Sequence, residues 1–206
     1  MTVIAVDGPA ASGKGTIARA LALHYGLPHL DTGLLYRAVG ITVARAGLNP
    51  DNEVDATGAC AFPDTLLHDP ELRSEEAGSL ASRVSVHPVV RAALLERQRV
   101  FAARPGGAVL DGRDIGTVIA PEADAKLFVT ASVEARAARR HIEDPARTLD
   151  SLRDDLLARD ARDMNRPNAP LRQADDADLL DTSNLTIGAA IQSAIALVDA
   201  RLESRR

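Results

Sequence analysis

The sequence has little of what several protein classes require. It contains no tryptophan, three phenylalanines, two tyrosines and a single cysteine, Cys60. One cysteine cannot form an internal disulfide, and it excludes both a disulfide framework and a cysteine-based metal site. The scarcity of aromatic rings argues against stacking platforms for single strands, and the net charge of −5 argues against nucleic-acid binding in general. We therefore expect only small-molecule partners.

Long hydrophobic runs are missing as well. No segment approaches the roughly 20 apolar residues that a membrane helix needs, and Met1 leads into a strand-like segment instead of a charged and apolar leader. We therefore expect a cytoplasmic protein that does not contact a membrane. At 206 residues the chain has the size of one domain, and we expect it to act as a monomer.

The sequence does contain an alternation of strand-like and helix-like segments. Apolar runs predict five strands, at 2–7, ending near Leu30, at 108–110, at 126–129 and at 179–180. The last helix is predicted to be capped by Thr186 and to bury one stripe, formed by Ile187, Ile191, Ile195, Val198 and Leu202. Strands that alternate with helices predict an α/β fold, in which a parallel sheet binds ligands beyond the carboxyl ends of its strands.

Two segments depart from this alternation. Residues 48–69 are rich in proline, aspartate, asparagine and glycine, and a helical stretch interrupted around Pro88 follows them. A short polar break at 143–147 separates two charged helices. We interpret the first region as a substrate-binding insert and the second as a short lid. The predicted core is about 1–32, 104–140 and 167–206, the insert about 33–103 and the lid about 141–166.

The most specific motif is a glycine-rich loop between the first strand and the first helix. It consists of Gly8, Pro9, Ala10, Ala11, Ser12, Gly13, Lys14, Gly15 and Thr16. Its glycines let backbone N–H groups wrap around phosphates, the helix N-terminus adds positive charge, and Lys14 reaches the terminal phosphates. The motif predicts ATP binding. Because Gly15 stands where most such loops place Ser or Thr, Thr16 is the candidate contact to Mg²⁺, directly or through water.

A second motif, DTGLLYR, follows the second predicted strand. Its Arg37 could hold an acceptor phosphate through two hydrogen bonds while Thr32 donates another. Taken alone, the same residues could equally be a helix cap and a solvated arginine.

A third motif, DGRDIGT, follows the third predicted strand. An acid that ends a strand opposite a phosphate-binding loop resembles the acid that positions Mg²⁺ or its waters, which makes Asp111 the candidate. Arg113 and Asp114 follow at once, and the neighbouring glycines suggest close approach of a ligand. The alternative is that Asp111 is a turn carboxylate and Asp114 a helix cap.

An arginine cluster recurs near the end of the predicted lid. Arg159, Arg162 and Arg166 are spaced by three and four residues, and Asp163 lies four after Arg159, which predicts one helix face. Such arginines would offset the charge that spreads over oxygens during phosphoryl transfer. The alternative is a solvated helix with ion pairs. Because an ionised phosphate acceptor needs no general base, the five histidines need no catalytic role.

Taken in this order, DGPAASGKGT, DTGLLYR and DGRDIGT resemble the motifs of bacterial cytidylate kinases, which belong to the P-loop nucleoside monophosphate kinases. The resemblance extends to Ser82 and to the segments 90–99 and 159–166, so it covers most of the chain. It implies a five-stranded parallel sheet flanked by helices, and transfer of the γ-phosphoryl group of ATP to CMP or dCMP. Many bacterial members carry a longer insert with strand-like segments, whereas 48–69 is short and turn-rich here.

The resemblance also implies roles by position. It places Thr32 and Arg37 at the CMP phosphate, Ser82, Arg91 and Asp114 at the cytosine, and Asp111, Arg113, Arg159 and Asp163 around the sugar and phosphate, with Arg166 bridging the phosphates. The catalytic set is then Lys14, Arg37, Arg113, Arg159 and Arg166. Mg²⁺ would contact Thr16 and Asp111.

Three other functions compete with this interpretation. Another small-molecule P-loop kinase, acting on AMP, UMP or a metabolite such as shikimate, would also use Arg37 and the loop. A regulatory GTP switch would need an Asn-Lys-x-Asp element, which the sequence lacks. An inactive nucleotide-binding subunit would be expected to have lost a loop residue, yet Gly13, Lys14 and Thr16 are all present.

Overall fold

The computed structural model describes residues 1–204 and divides into two compact units. The first unit consists of Met1–Leu30 together with the chain from Phe101 onward, and the second is Asp31–Val100. No helix within the described residues is long and apolar enough to cross a membrane.

A five-stranded parallel sheet forms the centre of the first unit, in the order β2-β3-β1-β4-β5. Its strands are β1 (Thr2–Asp7), β2 (His29–Asp31), β3 (Gly107–Gly112), β4 (Ala125–Thr130) and β5 (Asp178–Asp181). The predicted parallel sheet is therefore confirmed. In the register of β1 against β3, Val6 is the partner of Asp111 and Asp7 the partner of Gly112. The loop that leaves β1 and the motif that ends β3 thus start side by side.

Eight α-helices can be assigned in the described chain. They are α1 (Lys14–Tyr25), α2 (Thr32–Arg45), α3 (Glu53–Gly58), α4 (Glu75–Val84), α5 (Pro88–Ala102), α6 (Val133–Glu143), α7 (Leu149–Met164) and α8 (Ile187–Ser204). In the first unit, α1 and α8 pack on the sheet with Ile4, Val6 and Leu127 in one aliphatic core. Burial of these apolar side chains is the main source of the unit's stability.

The helix α8 corrects one expectation about burial. Thr186 caps it as predicted, because its Oγ1 accepts the N–H of Ala189 at 3.2 Å. Ile187, however, is 71% exposed, and the buried face is formed by Ala190, Ala194 and Val198. The prediction assigned the large aliphatic residues to the buried face. The structure buries two alanines there instead, because small side chains let the helix approach the sheet closely. Ile191, Ile195 and Leu202 are only partly buried.

The second unit is helical. Its α2 packs on α4, and Gly40 makes this approach possible because a Cβ added there would lie 2.7 Å from Leu80 Cβ. The segment 48–69, expected to be turn-rich, contains α3, whose N-terminus is capped by Asn52 through the N–H groups of Val54 and Asp55. Short 3₁₀ turns follow at Asp64–His68 and Pro70–Arg73. Pro88 starts α5, which confirms the break predicted there.

Candidate active site

The phosphate-binding loop joins β1 to α1. Gly8 has φ +152°, and a Cβ on it would lie 2.0 Å from the carbonyl oxygen of Val129, so only glycine fits this position. Gly13, with φ +90°, stands just before α1 and its carbonyl accepts the N–H of Thr16 at 3.1 Å. The loop therefore ends on a helix N-terminus, where orphan N–H groups and the helix dipole favour an anion. Lys14 opens the helix.

Asp111 lies beside this loop. Its Oδ1 is 3.9 Å from the position that a Cβ on Gly15 would take, and the side chain is almost fully buried. The structure thus brings together the loop and the strand-ending acid that the sequence pointed to.

His29 is a neighbour of Asp111 that the sequence analysis set aside. Its Nε2 is 2.7 Å from Asp111 Oδ2, and its side chain is 17% exposed. The one signal in the sequence is that His29 lies in the short apolar segment predicted as the second strand, and β2 turns out to be the neighbour of β3 in the sheet. A partner 82 residues away, however, becomes visible only when the strand order is known.

The side chains beside the loop fit one way of binding Mg²⁺, in which the protein supplies a single carboxylate. Within residues 1–204, no group of three or more histidine, cysteine, aspartate or glutamate side chains is placed to hold a metal ion. Mg²⁺ in phosphoryl-transfer sites needs only one or two carboxylates, since phosphate oxygens and waters complete its shell. Asp111 next to the loop supplies one such carboxylate, and the residues present fit this mode.

A buried charge cluster forms around Asp163 on α7. Arg113 Nε donates to Asp163 Oδ2 at 2.7 Å, and Arg166 Nη2 lies 3.6 Å from Asp163 Oδ1. Burial works to raise the pKa of Asp163, but the attraction of Arg113, Arg166 and Arg159 outweighs it and holds that pKa below its usual value. The carboxylate is therefore ionised at neutral pH. Asp163 thus balances part of the charge of the surrounding arginines, and guanidinium groups are well suited to bind phosphate.

The predicted common face of the arginines is wrong. The helix α7 ends at Met164, so Arg166 lies beyond it and folds back, with its Nε donating to the carbonyl oxygen of Asp163 at 3.2 Å. Arg166 is 6% exposed, whereas Arg162 is exposed and Arg159 half-buried. Arg159, Asp163 and Arg166 thus lie in the buried part of this region, and Arg162 lies outside it.

Asp7 holds the backbone that follows Asp114. Its two carboxylate oxygens accept the N–H groups of Ile115 and Gly116, each at 2.8 Å. Asp114 itself is buried. Sequence reasoning missed Asp7, although its place at the end of β1 directly before Gly8 was a usable signal. The residue ties the start of the phosphate loop to the DGRDIGT segment.

Asp7 should make the stability of the protein pH-dependent near neutrality. Burial is the largest influence and, although the two backbone hydrogen bonds oppose it, raises the pKa of Asp7 to about 7. Asp114 also raises this pKa and Arg113 lowers it. Because the native state binds a proton that the unfolded chain has released, stability from this group falls between about pH 4 and pH 7.

We therefore expect wild type to lose about 2–3 kcal/mol more of its unfolding free energy than Asp7→Asn between pH 5 and pH 8, at about 1.4 kcal/mol per pKa unit. Urea unfolding at several pH values measures the difference between the two proteins. Parallel curves for wild type and the variant would contradict the raised pKa.

The second unit carries the other four predicted site residues. Thr32 starts α2 and is buried, and Arg37, one turn further, donates from Nη1 to the carbonyl oxygen of Leu72 at 2.6 Å. Ser82 is buried on α4. The guanidinium of Arg91 on α5 lies 5.6 Å from the centroid of the Tyr36 ring, a cation–π contact that holds it in place.

Comparisons with known proteins agree with the motifs. The sequence profile of the family described as "Cytidylate kinase" matches residues 4–200. The chain is 59% identical to a "Cytidylate kinase" of Xanthobacter autotrophicus, over 98% of this chain and 100% of that protein. It is 54% identical to a "Cytidylate kinase" of Brucella suis, over 99% of this chain and 95% of that protein.

Solved structures share the fold at low sequence identity. A gluconokinase from Sinorhizobium meliloti matches with a TM-score of 0.55 and 18% identity, over 99% of this chain and 95% of that one. An uncharacterized protein from Eubacterium ventriosum matches with a TM-score of 0.58 and 13% identity, over 97% and 99%. At these low sequence identities, the matches support the fold and not a shared function.

Proposed function

The chain belongs to the cytidylate kinase family, and from this premise we propose which residues carry out its transfer of the γ-phosphoryl group from ATP to CMP. The observation that carries the proposal is the position of Asp111 beside Gly15, which puts an acid next to the phosphate loop. A glycine-rich turn without a ligand would have no need of a buried carboxylate there.

On the ATP side, the loop from Gly8 to Thr16 holds the triphosphate. Backbone N–H groups bind the phosphate oxygens, and Lys14 neutralises charge near the β- and γ-phosphates. Asp111 and Thr16 would hold Mg²⁺ directly or through waters. Bound there, Mg²⁺ would supply positive charge that stabilises the negative charge developing during the transfer.

On the CMP side, Thr32 and Arg37 hold the acceptor phosphate, and Ser82 and Arg91 contact the cytosine together with Asp114. Asp163 and Arg159 bind around the sugar and phosphate. Arg113 and Arg166 offset the charge of the approaching anions. Catalysis then consists of positioning and charge stabilisation, because the acceptor oxygen is already ionised and needs no base.

The acceptor is tested by a panel of substrates with ATP. We expect the highest kcat/KM with CMP or dCMP, and lower values with UMP, AMP and shikimate. The Lys14→Ala variant, purified in parallel, controls for contaminating kinases and should lack activity with every acceptor. Fastest turnover of AMP or UMP would contradict the assignment and would favour another small-molecule P-loop kinase.

Base recognition gives a more specific prediction. Cytosine carries an exocyclic amine where uracil carries a carbonyl, so a buried carboxylate at Asp114 accepts from cytosine and repels uracil. In Asp114→Asn the side chain can donate to uracil. We expect the ratio of kcat/KM for CMP over UMP to fall about 10- to 100-fold, in line with about 1–3 kcal/mol for one base contact. An unchanged ratio would remove Asp114 from base recognition.

The cellular setting completes the proposal. A single half-buried cysteine, Cys60, needs no oxidising compartment, and we propose that the enzyme acts in the cytoplasm as a monomer. Equilibrium sedimentation at micromolar concentration tests the oligomeric state.

A further inference from the structure

An arginine on α6 reaches the phosphate loop from outside. The Nη1 of Arg136 donates to the carbonyl oxygen of Ala10 at 3.3 Å. The guanidinium is itself fixed, because its Nε donates to the carbonyl oxygen of Ala131 at 3.0 Å and its Nη2 to Asp160 Oδ2 at 2.7 Å. Both members of the Arg136–Asp160 pair are buried. A buried arginine with three anchored hydrogen bonds has little freedom to move.

Two further side chains continue this pattern along the loop. Arg139 Nη1 donates to the carbonyl oxygen of Ala11 at 3.3 Å. Thr182 Oγ1 lies 2.8 Å from the carbonyl oxygen of Ser12 and 3.1 Å from that of Thr130, and its single hydrogen is assigned to the nearer acceptor, Ser12. Arg139 and Thr182 also hold each other, since Arg139 Nη1 lies 3.1 Å from Thr182 Oγ1 and Nη2 donates to the Thr182 carbonyl at 2.6 Å. Three consecutive carbonyls of the loop therefore each have a side-chain donor.

Because the peptide bond is planar, hydrogen bonds that hold a carbonyl oxygen also fix the direction of the N–H group in the same peptide. In a trans peptide the carbonyl oxygen and the following N–H point in opposite directions, and no cis bond occurs in the described chain. Fixing the carbonyls of Ala10, Ala11 and Ser12 outward therefore directs the N–H groups of Ala11, Ser12 and Gly13 to the opposite side. Hydrogen bonds to a carbonyl also polarise its peptide and strengthen the N–H as a donor.

The loop needs such support at one position. Ala11 has φ +58°, a left-handed conformation that costs a residue with a Cβ about 1 kcal/mol or more. The surroundings compensate, because Ala10 packs in a small apolar cluster with Ala137 of α6 and Leu152 and Leu156 of α7. The loop conformation is thus imposed by its neighbours as well as by its glycines.

We propose that Arg136, Arg139 and Thr182 are positioning residues of the ATP site, which act by fixing the peptide planes of the phosphate loop. This inference rests on the proposed function, because it takes the loop to be the site of the ATP phosphates. Thr182 gives the cleanest test, since it is 2% exposed and Val has the same shape without the hydroxyl.

The experiment compares the binding of ATP and of inorganic tripolyphosphate by calorimetry in wild type and variants. We expect Thr182→Val to raise the Kd of both ligands about tenfold, a typical loss when the partner that orients a ligand-binding group is removed. Thr182→Ser, which keeps the hydroxyl, should bind both within about twofold of wild type. The KM for CMP should stay within about twofold in both variants.

Two further variants keep the test decisive. Arg139→Met removes the donor to Ala11 from a half-buried helix position, and it should raise both Kd values by a similar factor. It therefore serves as the test if Thr182→Val folds poorly. Arg201→Gln removes an arginine that pairs with Asp178, and it should leave both Kd values unchanged.

Wild-type affinity for tripolyphosphate in both Thr182→Val and Arg139→Met would overturn the inference. A loss confined to ATP would overturn it as well, because it would indicate contact with the nucleoside and not with the loop. Failure of the wild type to phosphorylate CMP, with tripolyphosphate binding still sensitive to Thr182→Val, would overturn the proposed function alone.

Discussion

Arg166→Ala is expected to lower kcat with ATP and CMP by about 10²–10³, the usual loss when a positioned charge donor is removed. Arg166 is buried at the end of α7, held through the backbone and carboxylate of Asp163. Because these contacts fix its guanidinium before any substrate binds, the charge would already be in place for the catalytic role that we propose for it. Losing it removes an interaction that is stronger in the transition state than in the ground state.

Arg162→Ala is the matched control for this prediction. It removes an arginine from the same region, but its side chain is exposed and it should change kcat less than about twofold. Steady-state kinetics at saturating ATP and CMP measures both variants, and urea unfolding checks that each is folded. A near-normal kcat in Arg166→Ala would remove Arg166 from the catalytic set.

Much of the fold followed from local patterns in the sequence. Apolar runs predict the strands because buried parallel strands need β-branched and aliphatic residues on both faces, as in β1. The loop and the DGRDIGT motif were expected at one edge because parallel strands end together, and the pairing of Asp7 with Gly112 has this arrangement. The helix α1 ends at Gly26, whose φ of +65° is the left-handed conformation in which glycine commonly ends helices.

Contacts between distant segments could not be predicted in this way. The pairing of His29 with Asp111 and the hydrogen bonds from Ile115 and Gly116 to Asp7 depend on strand order and register, which the sequence does not state. The same holds for the donors that α6 and Thr182 supply to the loop. Each is a contact between two single residues, and such a contact produces no periodic pattern in the sequence.

The placement of Arg166 shows a local signal that was overlooked. A spacing of four from Arg162 suits a helix, but Pro167 follows, and a residue before proline avoids the helical conformation. The helix therefore ends at Met164 and the arginine turns inward. Helical spacing alone does not show whether the helix extends as far as the last residue of the pattern.

Asp163→Ala is expected to lower the unfolding free energy by about 3–5 kcal/mol at pH 7, the usual cost of removing one member of a buried ion pair. The side chains of Arg113 and Asp163 are 15% and 5% exposed, and they meet at 2.7 Å. Burial disfavours the charge on Arg113, but Asp163, Asp111 and Asp160 more than compensate and raise its pKa. Without Asp163, the guanidinium of Arg113 stays buried near Arg166, and fewer carboxylates balance its positive charge.

A double-mutant cycle separates this charge effect from lost packing. If the cost comes from the uncompensated cation, Arg113→Met should destabilise the Asp163→Ala protein less than it destabilises wild type. The side chains touch directly, so a coupling energy above about 0.5 kcal/mol is expected. Urea unfolding of the four proteins measures it, and strictly additive losses would show that the pair acts only through volume.

The pH dependence gives an independent check on the same pair. The pKa of Asp163 is lowered in the folded state, so its stabilising contribution is complete above the unfolded value of about 3.9 and is lost as the pH falls through the folded value. The difference in stability between wild type and Asp163→Ala should therefore be constant from pH 5 to pH 7. It should shrink as the pH falls below about 3.9, because the unfolded wild-type chain then binds a proton at Asp163 that the folded protein, with its lowered pKa, does not yet bind. A difference that stayed the same at pH 3 would mean that the ion pair contributes little to stability.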